Sequence, residues 1–179
     1  MLGILAARGW DALGMPVLVA PTASVRDSYL EGERALCLEE GTSTQWLQEA
    51  ANDFAAYAER RRQVRELWGV PVTELWFVEG AEYIGTVVIR HHLTPALEVD
   101  GGHVGYHVVP SHRRQGHATT MLAATVRMAP TLGITTMVVT CDEDNTASCR
   151  TVEANGGVLE DVRDGIARYR LDCTVTPTP

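Results

Sequence analysis

Residues 103–140 constrain the fold more than any other stretch. Residues 103–109 (HVGYHVV) form a short apolar run stopped by Pro110, and residues 135–140 (TTMVVT) form a β-branched run. Between them, Ala118, Met121, Leu122, Thr125 and Ala129 fall on one face of a helix over 118–129, which Gly133 ends. A strand, a helix and a second strand in that order predict a right-handed crossover between parallel strands. The chain must therefore build a layered α/β structure.

The flanks fit that frame. Residues 16–20 (PVLVA) read as a short strand, and Thr22 or Ser24 can cap a helix over 25–39 that Gly41 closes. Thr42 or Thr44 opens a helical stretch to Trp68, carrying Trp46, Leu47, Ala50, Phe54, Tyr57 and Ala58 on one stripe before Gly69 and Pro71 end it. That stripe reads as core rather than substrate cage. Residues 75–79 and 83–90 flank a glycine turn and predict an antiparallel hairpin. Residues 91–102 read as a loop or short helix, 145–154 as a helix ending at Asn155-Gly156-Gly157, and 166–172 as a last strand. The expected organisation is one domain over 15–173, an N-terminal extension over 1–14 and a loose tail over 174–179. Met15-Pro16 directly precedes the first strand, which makes Met15 a candidate start.

Charge narrows the partners. Fifteen Lys and Arg against twenty-three Asp and Glu give −8 over 179 residues. That balance argues against a general nucleic-acid or membrane-surface binder, since both need a positive field. A hydrophobic fraction of 45% excludes a disordered chain, and no run is long enough to span a bilayer. The four cysteines form no CxxC pair and read as thiols of a reducing cytoplasm; residues 1–7 lack the basic lead of a signal peptide.

The chemistry concentrates where the strand meets the helix, in Val108-Val109-Pro110-Ser111-His112-Arg113-Arg114-Gln115-Gly116-His117-Ala118. A helix start presents unpaired amides and the positive end of its dipole. Gly116 and Ala118 lack bulk, so a ligand can approach the main chain, and Arg113 and Arg114 add positive charge. The site suits a diphosphate, each charge-assisted hydrogen bond contributing about 1.5–3 kcal/mol. By itself the string is equally a helix N-terminus with a charged lead-in. It lacks the GKS/GKT of a Walker loop and the GxGxxG of a dinucleotide fingerprint.

Taken together, residues 103–157 resemble the GNAT superfamily of acyl-CoA N-acyltransferases. Arg113-Arg114-Gln115-Gly116-His117-Ala118 matches the family's R/Q-x-x-G-x-G/A pyrophosphate loop, and Val108-Val109-Pro110 matches the strand end before it. Asn145-Thr-Ala-Ser148 followed by Asn155-Gly156-Gly157 matches the asparagine-led helix that closes the cofactor site. The likeness is nearest to uncharacterised bacterial predicted acetyltransferases, through His91-His92 and Gly101-Gly102-His103 as well. The resemblance implies a mixed sheet with an antiparallel start and a splayed strand pair. It also implies a cytoplasmic N-acetyltransferase moving an acetyl group from acetyl-CoA to an amine of a small molecule or peptide by direct transfer. No metal, nucleic acid or membrane enters such a reaction, and a homodimer would be in keeping with the superfamily. The main chain of Val108 and Val109 would pair with pantetheine. Arg113, Arg114, Gln115, Gly116, His117, Ala118 and Thr119 would hold the pyrophosphate, and Asn145 and Ser148 would contact the cofactor. The Val108 N–H would stabilise the oxyanion.

The chain departs from the family at the proton-transfer positions. Val152 stands where many members have a tyrosine acid, and His103 where many have a glutamate base. Ser148 is the replacement acid or a plain first-turn serine; His103 is a base or an ordinary strand histidine, with Glu98, Asp100 and Tyr106 as substitutes. A zinc site from His91, His92, His103 and His107 is disfavoured, because residues i and i+4 on a strand lie about 13 Å apart. Arg60, Arg61, Arg62 and Arg65 read as a solvated helix face, or else as a contact for an acidic partner. The competing reading of the whole chain is a non-catalytic acyl-CoA-binding module.

Overall fold

The computed structural model describes residues 14–174; the extension expected over 1–14 and the tail over 174–179 lie, but for Gly14 and Thr174, outside the described residues. In chain order the elements are β1 (Val17–Val19), α1 (Arg26–Glu40), α2 (Gln45–Asn52), α3 (Phe54–Arg62), β2 (Arg65–Leu67), β3 (Val70–Glu79), β4 (Glu82–Arg90), α4 (Pro95–Val99), β5 (Val104–Val108), α5 (His117–Met128), β6 (Thr136–Asp142), α6 (Thr146–Ala154), β7 (Val158–Arg163) and β8 (Ile166–Asp172). One sheet has the order β1-β3-β4-β5 with β2 on β3, and the other has the order β6-β8-β7. The fold is mixed α/β, as the sequence predicts. No helix among the described residues is long and apolar enough to cross a membrane.

The chain forms two compact units. The first contains, within the described residues, 14–64, 74–87 and 107–117. Here α1 follows a 3-10 turn capped by Thr22 and ends at Gly41 in the left-handed conformation. The helical stretch expected over 42–68 is broken instead at Asp53. Its carboxylate accepts from the Ala56 N–H (3.0 Å) and starts α3 afresh, because aspartate competes with the helix for backbone donors. The predicted stripe is core: Ala50, Phe54, Tyr57 and Ala58 pack with Val25, Tyr29, Trp76, Val78, Tyr83 and Val109, and Trp46 lies against them. Tyr29 stacks on Trp76 with ring centroids 4.4 Å apart and sits 4.7 Å from Tyr83. Each fully buried large side chain contributes about 1.5–3 kcal/mol. Gly85 lets the two strands touch: a Cβ there would stand 2.2 Å from the His107 carbonyl oxygen.

The second unit contains 65–73, 88–106 and 118–174. It corrects the end of the predicted helix, because residues 65–72 form a hairpin, Arg65 opposite Val72, around a left-handed Trp68-Gly69 turn. The β-branched Val70 and Val72 are buried with Leu97 there. It also adds β7, which the sequence reading lacks. β7 and β8 meet at a left-handed Asp164-Gly165 turn, and β8 pairs antiparallel with both β6 and β7. β5 and β6 stand in separate sheets. They are joined where the His103 N–H donates to the Val138 carbonyl (2.7 Å) and the Val138 N–H donates to His103 Nδ1 (2.9 Å).

Candidate active site

In the first unit the predicted loop leaves the end of β5, passes through a 3-10 turn at Pro110–His112 and runs into the first residue of α5. Arg114 (φ 62°) and Gly116 (φ 81°) are both left-handed, which bends the chain sharply twice within three residues. A non-glycine residue in that region costs about 1–2 kcal/mol, a strain that collects at ligand-binding loops. A Cβ on Gly116 would meet nothing within 4 Å, so the space over the bend is open. Arg113 turns inward: its Nε donates to the Val108 carbonyl (3.0 Å) and its Nη1 to Glu39 (2.6 Å). It clamps the loop and its charge is matched. Arg114 is exposed and has no ion-pair partner among the described residues. Gln115 Nε2 reaches the Ser111 carbonyl at 3.4 Å. The His117 ring stands edge-on to Phe77, and burial and the neighbouring His112 hold it below the usual histidine range.

Two hydrogen bonds fix the direction of β5. The Val109 N–H donates to the Ile84 carbonyl (3.0 Å) and the Arg90 N–H to the His103 carbonyl (2.8 Å), so β4 and β5 run antiparallel. Antiparallel alternation then turns the Val108 N–H, one residue back, away from β4.

In the second unit the structure brings Tyr106 and Ser148 together, their hydroxyl oxygens 2.9 Å apart. Burial raises the Tyr106 phenol above its ordinary range and the Ser148 hydrogen bond partly opposes it, so Tyr106 is a protonated donor near neutrality. Asn145 caps α6: its Oδ1 accepts from the Ser148 N–H at 3.1 Å. His103 spends Nδ1 on the Val138 amide, and burial keeps its ring neutral, which leaves only Nε2 for a base role. Glu98 and Asp100 are exposed, and Val152 is fully buried. Ala118 and Thr119 form the second and third residues of α5, and the Thr119 carbonyl accepts from Asn155 Nδ2 (3.2 Å). Cys141 and Cys149, both free thiols, stand 3.5 Å apart, and burial pushes the Cys141 thiol up to about 11.

The histidines have separate tasks: His91 Nε2 bonds Thr73 Oγ1 (2.8 Å), His103 bonds Val138 and His107 bonds Glu33. Among the described residues no group of three or more His, Cys, Asp or Glu could hold a metal ion. The arginine run is only partly a solvated face. Arg61 donates to the buried Glu74 (3.0 Å) and lies over the Tyr57 ring, and Arg62 donates to the Pro21 carbonyl.

Sequence reasoning missed one constellation, in the first unit. Glu33 of α1 is buried, and its Oε1 receives Tyr83 Oη (2.5 Å) and His107 Nε2 (2.6 Å). Tyr83 is itself 2.7 Å from Thr86 Oγ1. A charged residue recurring inside an otherwise apolar helix face, with Tyr29, Leu36 and Cys37 buried around it, is the signal that could have found it.

Solved structures similar to this chain include acetyltransferases. The chain shares 15% identity and a TM-score of 0.60 with the microcin C7 self-immunity acetyltransferase MccE in complex with acetyl-CoA and AMP, covering 88% of this chain and 92% of that one. A putative ribosomal-protein-serine acetyltransferase from Vibrio cholerae gives 16% and 0.58, covering 88% and 93%. The ribosomal L7/L12 α-N-protein acetyltransferase RimL in complex with coenzyme A gives 16% and 0.56, over the same shares. At such identities the likeness shows the GNAT fold. Residues 29–158 match the family model described as an acetyltransferase (GNAT) domain, and the chain belongs to that family. No curated protein matches its sequence.

Proposed function

We propose that the protein transfers an acetyl group from acetyl-CoA to a primary amine of a small molecule or protein, directly, with both substrates bound. The observation that carries this reading is the doubly left-handed bend at Arg114 and Gly116, open above Gly116 and feeding the N-terminus of α5. Family membership supports the acetyl chemistry, and the relatives solved with acetyl-CoA support the donor. Arg114 and the main chain from Arg114 to Thr119 take the diphosphate, while Arg113 holds the bend by its bond to the Val108 carbonyl. Arg113 thus serves the cofactor through loop shape. Pantetheine runs beside Val108 at the end of β5; the Val109 N–H is already spent on the Ile84 carbonyl. The Val108 N–H, facing away from β4, donates to the developing oxyanion; loss of one such donor costs about 10²–10³ in rate.

Tyr106 supplies a proton to the departing coenzyme A thiolate, and Ser148 holds the phenol in line. The test is release of free thiol from acetyl-CoA on addition of polyamines, amino acids, aminoglycosides and peptide N-termini. Release that depends on one amine class supports the reading. Coenzyme A binding without release by any amine contradicts it.

A further inference from the structure

We infer that His107 is the residue that takes the proton from the acceptor ammonium, with Glu33 as the positioning residue that fixes its ring. The inference rests on the proposed acetyl transfer and deepens it. His107 immediately precedes Val108, so its ring is one residue from the amide that faces the developing oxyanion. Its side chain is 35% exposed, whereas that of Glu33 is 7% exposed and Tyr83 is fully buried. The network therefore begins in the core and ends on one ring that solvent reaches. Nε2 is directed at Glu33, and Nδ1 has no partner among the described residues. A carboxylate at Nε2 selects the Nε2–H tautomer and leaves the Nδ1 lone pair as the base.

A purely structural role explains this network poorly. Tyr29, Phe54, Tyr57 and Trp76 already fill the core, and burying the Glu33 carboxylate costs several kcal/mol unless it is fully paired. Glu33 remains ionised: burial pushes its carboxyl up, but the His107 hydrogen bond and charge, the Tyr83 hydrogen bond and the Arg61 charge bring it below the usual carboxylate range. The charged and titratable groups around His107 are Glu33 of α1 and Tyr83 of β4, with Arg61 of α3 and Tyr29 of α1 acting through Glu33 and Tyr83. Only Glu33 among them is an anion that can balance an imidazolium.

The protons and bonds balance. One ammonium proton passes to His107 Nδ1 and then to solvent. The freed nitrogen lone pair forms the N–C bond to the thioester carbonyl, the C–S bond breaks, and a second nitrogen proton ends on the coenzyme A sulfur by way of Tyr106.

The experiment is the pH profile of kcat/KM, by thiol release, for the wild type, His107→Gln and Glu33→Gln, with coenzyme A binding measured on all three. For His107→Gln the expected result is a loss of at least about 100-fold at pH 7. Its rate should climb about tenfold per pH unit toward the pKa of the amine, because only pre-formed free amine then reacts. For Glu33→Gln kcat falls about tenfold with the KM for the amine unchanged, since the ring loses the partner that fixes its orientation. Both variants bind coenzyme A as the wild type does, which shows them folded. A wild-type profile in His107→Gln, or a loss that does not recover at high pH, overturns the dyad alone. Wild-type protein that binds coenzyme A but releases no thiol with any amine overturns the acetyl transfer, and the dyad with it.

Discussion

The bend at Arg114 to Gly116 and the Glu33–Tyr83–His107 network are two solutions to presenting chemistry on one scaffold. The bend works with consecutive residues, mostly exposed, through backbone conformation and a helix end. The network works with side chains drawn from α1, β4 and β5, separated by 50 and 74 positions, with Glu33 and Tyr83 buried and His107 half-exposed. A backbone site tolerates changes of side chain and fails when φ or charge changes. A side-chain network fails when packing shifts by a few tenths of an ångström.

The sharpest way to break this comparison is at its two glycines. Gly85→Val puts a Cβ against the His107 carbonyl, which is backbone and cannot give way; urea unfolding should show a loss of about 3 kcal/mol or more. Gly116→Glu places its side chain in open space but a non-glycine residue at φ 81°, so unfolding loses only about 1–2 kcal/mol, while coenzyme A affinity falls about 100-fold, equivalent to one or two charge-assisted hydrogen bonds. If both variants unfold alike, the contrast fails. Tyr106→Phe removes the proton donor but not the ring: kcat should fall about 100-fold with coenzyme A affinity unchanged, and a loss of affinity instead would give Tyr106 a binding role.

The smallest effect is on pH-dependent stability. The Glu33 carboxyl sits below its ordinary value of 4.5, so its contribution is complete above that pH and fades as pH falls through the folded-state value. Glu33→Gln should flatten the decline of unfolding free energy below pH 4.5, seen in urea titrations at several acid pH values. An unchanged slope would remove Glu33 from the ionised groups of the native state.

The same contrast explains what the sequence made legible. The strand end, Pro110, Gly116 and the apolar face of α5 are local signals, and all stand where the reading put them. Gly41 and Asn145 likewise mark helix ends where expected. The helix expected over 42–68 runs too far because the apolar stripe continues across Asp53, and the competing signal is a single capping carboxylate. β7 escaped because almost all of its residues are exposed, so no alternation marks it, although Asp164-Gly165 is a strong hairpin turn signal. Among the candidate site residues, the loop could be read from order and spacing. The Tyr106–Ser148 contact and the Glu33–His107 pair could not, because they depend on which helix lies over which face of β5.

Isothermal titration of coenzyme A into the wild-type protein and into Gly116→Glu tests the central claim most directly. The account predicts one site per chain in the wild type and about 100-fold weaker binding in the variant, measured at a temperature where both are folded. No heat from the wild type, or equal affinity in the two proteins, would contradict it.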